Sequence, residues 1–141
     1  MTTNPAPLRI FLLEDHSDTL AYMIMYLEQL GHTVLPASSI EEALEALPGA
    51  DCDVLISDVG LPDGFGWDLL PRLQLRSPLY AIAMSGFNRA VDIAQSKAAG
   101  FHHHLGKPFN IHELNMVLEE ARKFLKSSEK ESSGSTVPED K

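Results

Sequence analysis

Five residues of this 141-residue chain have the types and positions to do chemistry together: Glu14, Asp15, Asp58, Ser85 and Lys107. Each follows a short apolar run. Ends of parallel strands are where ligands bind in open α/β sheets, so all five are expected to point into one crevice. Three carboxylates in one crevice would repel one another or resist ionisation unless a cation shared them. A hard divalent ion suits such an oxygen-only set, and Mg2+ in particular takes few protein ligands and keeps waters that a phosphate can replace. A carboxylate can attack phosphorus to give an aspartyl phosphate. The Lys107 ammonium would then help to neutralise charge on the transferring group, the main assistance a protein can give that reaction.

The elements that must position these groups are readable from hydrophobic periodicity. Leu8 to Leu13 is a compact strand, followed by a helix with Leu20, Met23, Ile24, Leu27 and Leu30 on one face and Gly31 as its C-cap. A second strand, about His32 to Leu35, leads into Ser39 with Glu42 three residues on, a capping box for a helix that turns Ile40, Ala43, Leu44 and Leu47 inward and is expected to end at Pro48 and Gly49. The third strand is Asp53 to Ser57, and Leu61 to Gly66 reads as loop. A third helix is expected near Trp67, carrying Leu69, Leu70 and Leu73, with Trp67 as its partly buried anchor. Leu79 to Met84 is the fourth strand. Val91, Ala94 and Ala98 mark the inner face of a helix stopping at Gly100, Phe101 to Leu105 is the fifth strand, and Asn110 with Glu113 caps a helix that buries Leu114, Val117, Leu118, Ala121, Phe124 and Leu125. Five strands alternating with five helices predict a parallel sheet covered on both faces by right-handed crossovers.

Composition narrows the function. A chain of this length with 44% hydrophobic residues has material for one core, and a formal charge of -9 opposes the phosphate attraction on which nucleic-acid binders depend. Direct DNA or RNA binding is not expected. Cys52 is the only cysteine, which excludes an intramolecular disulfide and a multi-cysteine zinc site. Neither a secretory signal nor a membrane-spanning run is visible, so the cytoplasm is the expected location and no membrane partner is expected. His102, His103 and His104 are adjacent in a strand and cannot all grip one ion, since neighbours there point to opposite faces. The expected organisation is an extension over residues 1–7, a domain over 8–126 and a disordered tail or linker stub over 127–141, where Ser, Glu, Lys and Gly replace apolar residues.

The pair Glu14-Asp15, the run Asp58-Val59-Gly60-Leu61-Pro62-Asp63 with Gly66 beyond it, Met84-Ser85-Gly86 and Lys107-Pro108-Phe109 resemble, in order and spacing, the receiver domains of two-component response regulators, the CheY-like proteins. The resemblance spans about Leu8 to Leu125 and implies an α/β, doubly wound, flavodoxin-like parallel sheet of order 2-1-3-4-5 with five helices. It implies that Asp58 is the phosphoacceptor, that Asp15 and Asp58 ligate Mg2+ with Glu14 and the Gly60 carbonyl completing the protein's share, and that Lys107 pairs with the phosphoryl group. It implies further that Ser85 and His104 form the switch, and that the Lys107-Pro108 bond is cis. The phosphate would come from a histidine kinase or histidine phosphotransfer protein. A downstream protein target, or a second copy of the chain, would then meet the face made by the fourth helix, fifth strand and fifth helix. Such a protein catalyses only its own phosphorylation and dephosphorylation and is not a metabolic enzyme.

Several positions depart from the usual pattern. His104 stands where Tyr or Phe is common, so packing of the switch residue would depend on pH. Gly60 and Phe87 lie at positions that tune hydrolysis in this family, and neither offers a polar side chain to orient water, so a long-lived aspartyl phosphate is expected. Two other readings remain open: a Mg2+-dependent phosphohydrolase of the haloacid dehalogenase type, against which Gly60 replaces the usual second Asp, and a degenerate receiver acting unphosphorylated as a scaffold. The residues do not say whether the chain is a stand-alone regulator or a receiver from a larger protein such as a hybrid kinase.

Overall fold

Alternate residues of the central strands enter two separate apolar layers, which is the pattern a sheet covered on both faces demands. Ile10 and Leu12 of β1 (Arg9–Leu13) join one layer, while Phe11 and Leu13 join the other. The computed structural model describes residues 6–75 and 77–135. Its main sheet adds β2 (Thr33–Ala37), β3 (Val54–Asp58), β6 (Tyr80–Ser85) and β7 (His103–Gly106) in the order β2-β1-β3-β6-β7, all parallel. That is the 2-1-3-4-5 order expected when only the five long strands are numbered.

On one face, α1 (Ser17–Gln29) and α4 (Ile111–Ser135) bury Met23, Leu27, Leu114, Val117, Leu118 and Ala121 against Ile10, Leu12, Ile56, Ile82 and Met84. On the other, α2 (Ile40–Ala50) contributes Ile40, Ala43 and Leu47. Asn110 and Glu113 close their capping box with bonds of 2.8 and 3.0 Å, whereas Ser39 Oγ accepts from the Glu42 amide at 3.2 Å but the Glu42 carboxylate reaches back to the Ser38 amide at 2.8 Å, one residue before the cap that a full box bonds. Gly31, just past α1, adopts φ +98°, a left-handed conformation that glycine enters without a Cβ clash.

The departures from expectation have local causes. Strand β2 continues through Pro36, which an edge strand tolerates because one side needs no amide donor. Helix α2 passes Pro48 and Gly49 and ends where Asp51 turns left-handed at φ 57°; a proline in the last turn removes a single backbone donor. The expected loop after β3 contains a small antiparallel ladder, β4 (Gly60–Leu61) with β5 (Gly64–Phe65). The third of the five helical segments is not α-helical: it consists of two 3-10 turns, Gly66–Asp68 and Leu70–Arg72, closed by bonds such as Leu69 N–H to the Gly66 carbonyl at 3.0 Å. Pro71 lacks the N–H that an α-helix would need there, while the shorter 3-10 pattern survives without it.

Helix α3 (Ala90–Ala98) corrects the expected face. Val91, Ala94 and Ala98 are exposed, and the buried side chains are Asp92 and Ser96. Asp92 caps its own helix through Arg89, and Ser96 meets Trp67 and, on the sheet edge, His104, partners that apolar spacing along the helix cannot reveal. Helix α4 also extends beyond Lys126 to Ser135, into the segment expected to lack order, because adding residues to a packed, nucleated helix is far easier than starting one. The remaining tail, 136–141, and residues 1–5 of the expected N-terminal extension lie outside the described residues.

Candidate functional site

The register of the sheet brings the five residues to one end. Asp58, the last residue of β3, pairs in register with Met84, so Ser85 is one step beyond it, and Ser85 pairs with Gly106, the residue before Lys107. Glu14 directly follows β1 and is tied to β2 by its amide bond to the Ala37 carbonyl at 3.0 Å. The Lys107 amide donates to the Ser85 carbonyl at 2.7 Å, and the Lys107–Pro108 bond is cis.

Oxygens of Glu14, Asp15 and Asp58 all lie within 4.8 Å of one another. Lys107 Nζ reaches Glu14 Oε1 at 3.1 Å and Asp58 Oδ2 at 3.3 Å. The other Glu14 oxygen accepts from the His16 amide at 3.0 Å. The Glu14 side chain is 1% exposed and that of Asp58 15%, so the first is sealed beneath the site whereas the second remains open to an incoming reactant. Burial pushes the Asp58 carboxyl above its usual range, the Glu14 charge adds to that, and Lys107 opposes it. For Lys107, burial disfavours the ammonium, but the two carboxylates outweigh it and hold the amine above its ordinary value. Three carboxylates thus face one ammonium. The donor set is all oxygen and carries excess negative charge, which fits a small divalent cation such as Mg2+. Among the described residues this is the one such acidic group.

The segment after Asp58 is fastened from two sides. Gly66 donates to the Val59 carbonyl, and a Cβ at Gly66 would stand 2.3 Å from the Asp58 carbonyl oxygen, so only glycine allows this approach. Asp63 accepts from the Ile40 and Glu41 amides at 2.9 and 3.0 Å, capping α2 from the hairpin, and these bonds hold its carboxyl below the ordinary range. Gly60 is exposed, with open space where a side chain would begin.

Ser85 Oγ accepts from the Phe87 amide at 2.9 Å. His104 is half-buried on β7, and its ring contacts Ser96 Oγ, the Phe87 carbonyl and Asn88. Ser96 and Asn88 are residues the sequence reading missed, and the only available hint was a serine four residues after Asp92 on the helix face opposite Val91. His102, just before β7, stacks on Tyr80 with ring centres 4.8 Å apart, while His104 turns to α3, so the two do not meet at one ion.

The sequence profile of the response regulator receiver domain matches residues 10–119. The chain belongs to that family. Its similarity to the DNA-binding transcriptional regulator NtrC of Azospirillum brasilense is 30% identity over 113 residues, 79% of this chain and 24% of that one. An uncharacterised 14.6 kDa protein from the sodA1 3′ region of Leptolyngbya boryana is 30% identical over 118 residues, covering 82% of this chain and 90% of that one. Among solved structures, a CheY-like response regulator receiver domain protein from Methanospirillum hungatei superposes with a TM-score of 0.75 at 28% identity, over 89% of this chain and 99% of that one. The receiver therefore spans about a quarter of the NtrC regulator and nearly the whole of the Leptolyngbya protein. Receiver domains are in general signalling domains and not enzymes of metabolism. No described helix is long and apolar enough to cross a membrane.

Proposed function

We propose that the protein is a phosphoacceptor switch of a two-component system, loaded on Asp58 by a histidine kinase or histidine phosphotransfer protein. The observation that carries this reading is the contact of Lys107 Nζ with Asp58 Oδ2 at 3.3 Å beside a group of three carboxylates. An Asp58 oxygen forms the new bond to phosphorus as the bond to the donor's imidazole nitrogen breaks, the electron pair leaving with that nitrogen. Lys107 balances negative charge on the transferred group, and Glu14 keeps Lys107 in place from below. Mg2+ would be held by Glu14, Asp15, Asp58 and the Gly60 carbonyl. When bound, it supplies positive charge to the phosphoryl oxygens.

Loading then acts on Ser85 and His104 and changes the affinity of the α3, β7 and α4 face for a protein target or a second copy. Val91 on that face is 59% exposed, as a docking residue must be. Such a protein works in the cytoplasm. The aspartyl phosphate is long-lived, because Gly60 and Phe87 give attacking water no polar side chain.

Intact-mass measurement after incubation with acetyl phosphate tests this reading. One phosphoryl group should be added in Mg2+, and none after chelation or in Asp58→Asn. Labelling that persists in Asp58→Asn, or continuous release of phosphate with no labelled protein, would refute it.

A further inference from the structure

A chain of hydrogen bonds runs from the segment after Asp58 across α3 to the switch position. Trp67 Nε1 donates to Ser96 Oγ at 2.8 Å, and Ser96 Oγ lies 2.7 Å from His104 Nδ1. A hydroxyl has one proton to give. Its two lone pairs mean that accepting from the indole does not by itself direct that proton; the Phe87 carbonyl does, because it can only accept and so requires the His104 proton on Nε2, leaving Nδ1 to accept from the Ser96 hydroxyl. Nε2–H then donates to the Phe87 carbonyl at 3.0 Å. Asn88, with its amide nitrogen turned toward them, donates to the Ser85 and Phe87 carbonyls at 3.2 and 3.3 Å, packed over Gly106 where a Cβ would come within 2.7 Å of it. Every member of the relay thus has a partner; the Asn88 nitrogen also comes within 3.2 Å of Nε2, but the Phe87 carbonyl, which can only accept, sets the direction.

The relay holds α3 where little else does. None of the side chains of α3 joins either apolar cluster among the described residues, and Ser96 is fully buried, so water cannot replace bonds lost there. We propose that Ser96 and Trp67 are positioning residues of the switch: Ser96 holds the His104 ring against α3 in one tautomer and passes the state of the Ser85–Phe87 loop to Trp67. The proposal rests on the phosphoacceptor reading. When a phosphoryl group on Asp58 draws the Ser85 hydroxyl away from the Phe87 amide, the Phe87 carbonyl shifts, His104 loses or changes its Nε2–H partner, and the change reaches α3 and the indole through Ser96.

Nitrogen NMR of the full chain tests it, because Trp67 is the only tryptophan and its indole resonance needs no assignment. In the unloaded protein His104 should be in the Nε2–H tautomer, and Ser96→Ala should weaken that preference at least fivefold, the Phe87 carbonyl alone then holding it. Trp67→Phe, which keeps the serine hydroxyl but removes its donor, should weaken the preference by about fivefold, the effect of one net hydrogen bond. On loading with acetyl phosphate and Mg2+, the wild-type indole resonance should shift. In Ser96→Ala the shift should fall at least fivefold, while intact mass shows an unchanged label. An Nδ1–H tautomer in the wild type, or a full indole shift in labelled Ser96→Ala, overturns the proposal. Absence of label in the wild type overturns the phosphoacceptor reading and the signalling half of this inference, whereas the tautomer in unloaded protein judges the relay by itself.

Discussion

Helix α4 and helix α3 flank the same sheet edge but are attached in different ways. Leu114, Val117, Leu118 and Ala121 of α4 are buried in an apolar cluster with β1, β3 and β6. Helix α3 instead turns Asp92 and Ser96 inward, with Asp92 accepting from the Arg89 backbone and side chain and Ser96 meeting Trp67 and His104. Apolar burial is undirected and adds up over area, so α4 has one good position. Hydrogen bonds are directed, worth little net when exchanged for others, and can be swapped between two arrangements. A frame held by apolar burial thus stands against an edge held by directed hydrogen bonds, with Lys107 between β7 and α4.

The sharpest break of the frame is Leu118→Ala, which should cost about 2–5 kcal/mol in denaturant unfolding because the residue is 1% exposed in a packed cluster. A loss under half a kcal/mol, of the order of a surface change, would mean that α4 is not the anchor. Gly66→Ala comes next, at about 1–3 kcal/mol, since the added carbon meets backbone and not a flexible side chain. Its labelling rate should fall far more than its stability, and equal losses would detach Gly66 from the site. Ser96→Ala, which leaves the Trp67 indole N–H and His104 Nδ1 without their partner, should cost about 1–2 kcal/mol of stability. If it matched Leu118→Ala, the contrast between the two helices would vanish.

The smallest effect concerns pH and the end of the sheet opposite the site. His32 is buried and its Nδ1 accepts from the Leu8 amide at 3.0 Å, an interaction only the unprotonated nitrogen can make. Burial, aided by the nearby Arg122 charge, holds its pKa below 6.5 in the folded protein. The unfolded chain therefore takes the proton first as pH falls. The stabilisation is complete above 6.5 and is lost progressively below it, toward the depressed folded value. His32→Gln should flatten that part of the stability profile. A profile identical to wild type would remove His32 as its source.

The frame was legible in the sequence and the edge was not, for the same physical reason. Ile10 to Leu13, Val54 to Ile56 and Ile82 to Met84 are continuous apolar runs because both faces of the sheet are covered, and periodicity exposes that directly. The acidic and basic residues that follow such runs mark the site end, so the meeting of Glu14, Asp15, Asp58 and Lys107 could be anticipated. The inward face of α3 could not, because Ser96 is buried for the sake of His104 and Trp67, partners distant in sequence. The two 3-10 turns depend on Pro71, which interrupts the helix that the leucine spacing alone suggests. The hairpin after Asp58 depended on Asp63 capping a helix more than twenty positions earlier. Tertiary hydrogen bonds leave no period to read.

Hydrogen exchange of the full chain, with and without acetyl phosphate in Mg2+, bears most directly on the division between frame and edge. Loading should change protection in residues 86–98 and in β7 while α1, β1 and the first half of α4 keep theirs, and Asp58→Asn should show no change at all. A response spread evenly over α1 and α4, or one confined to the Asp58 loop with α3 untouched, would contradict the account.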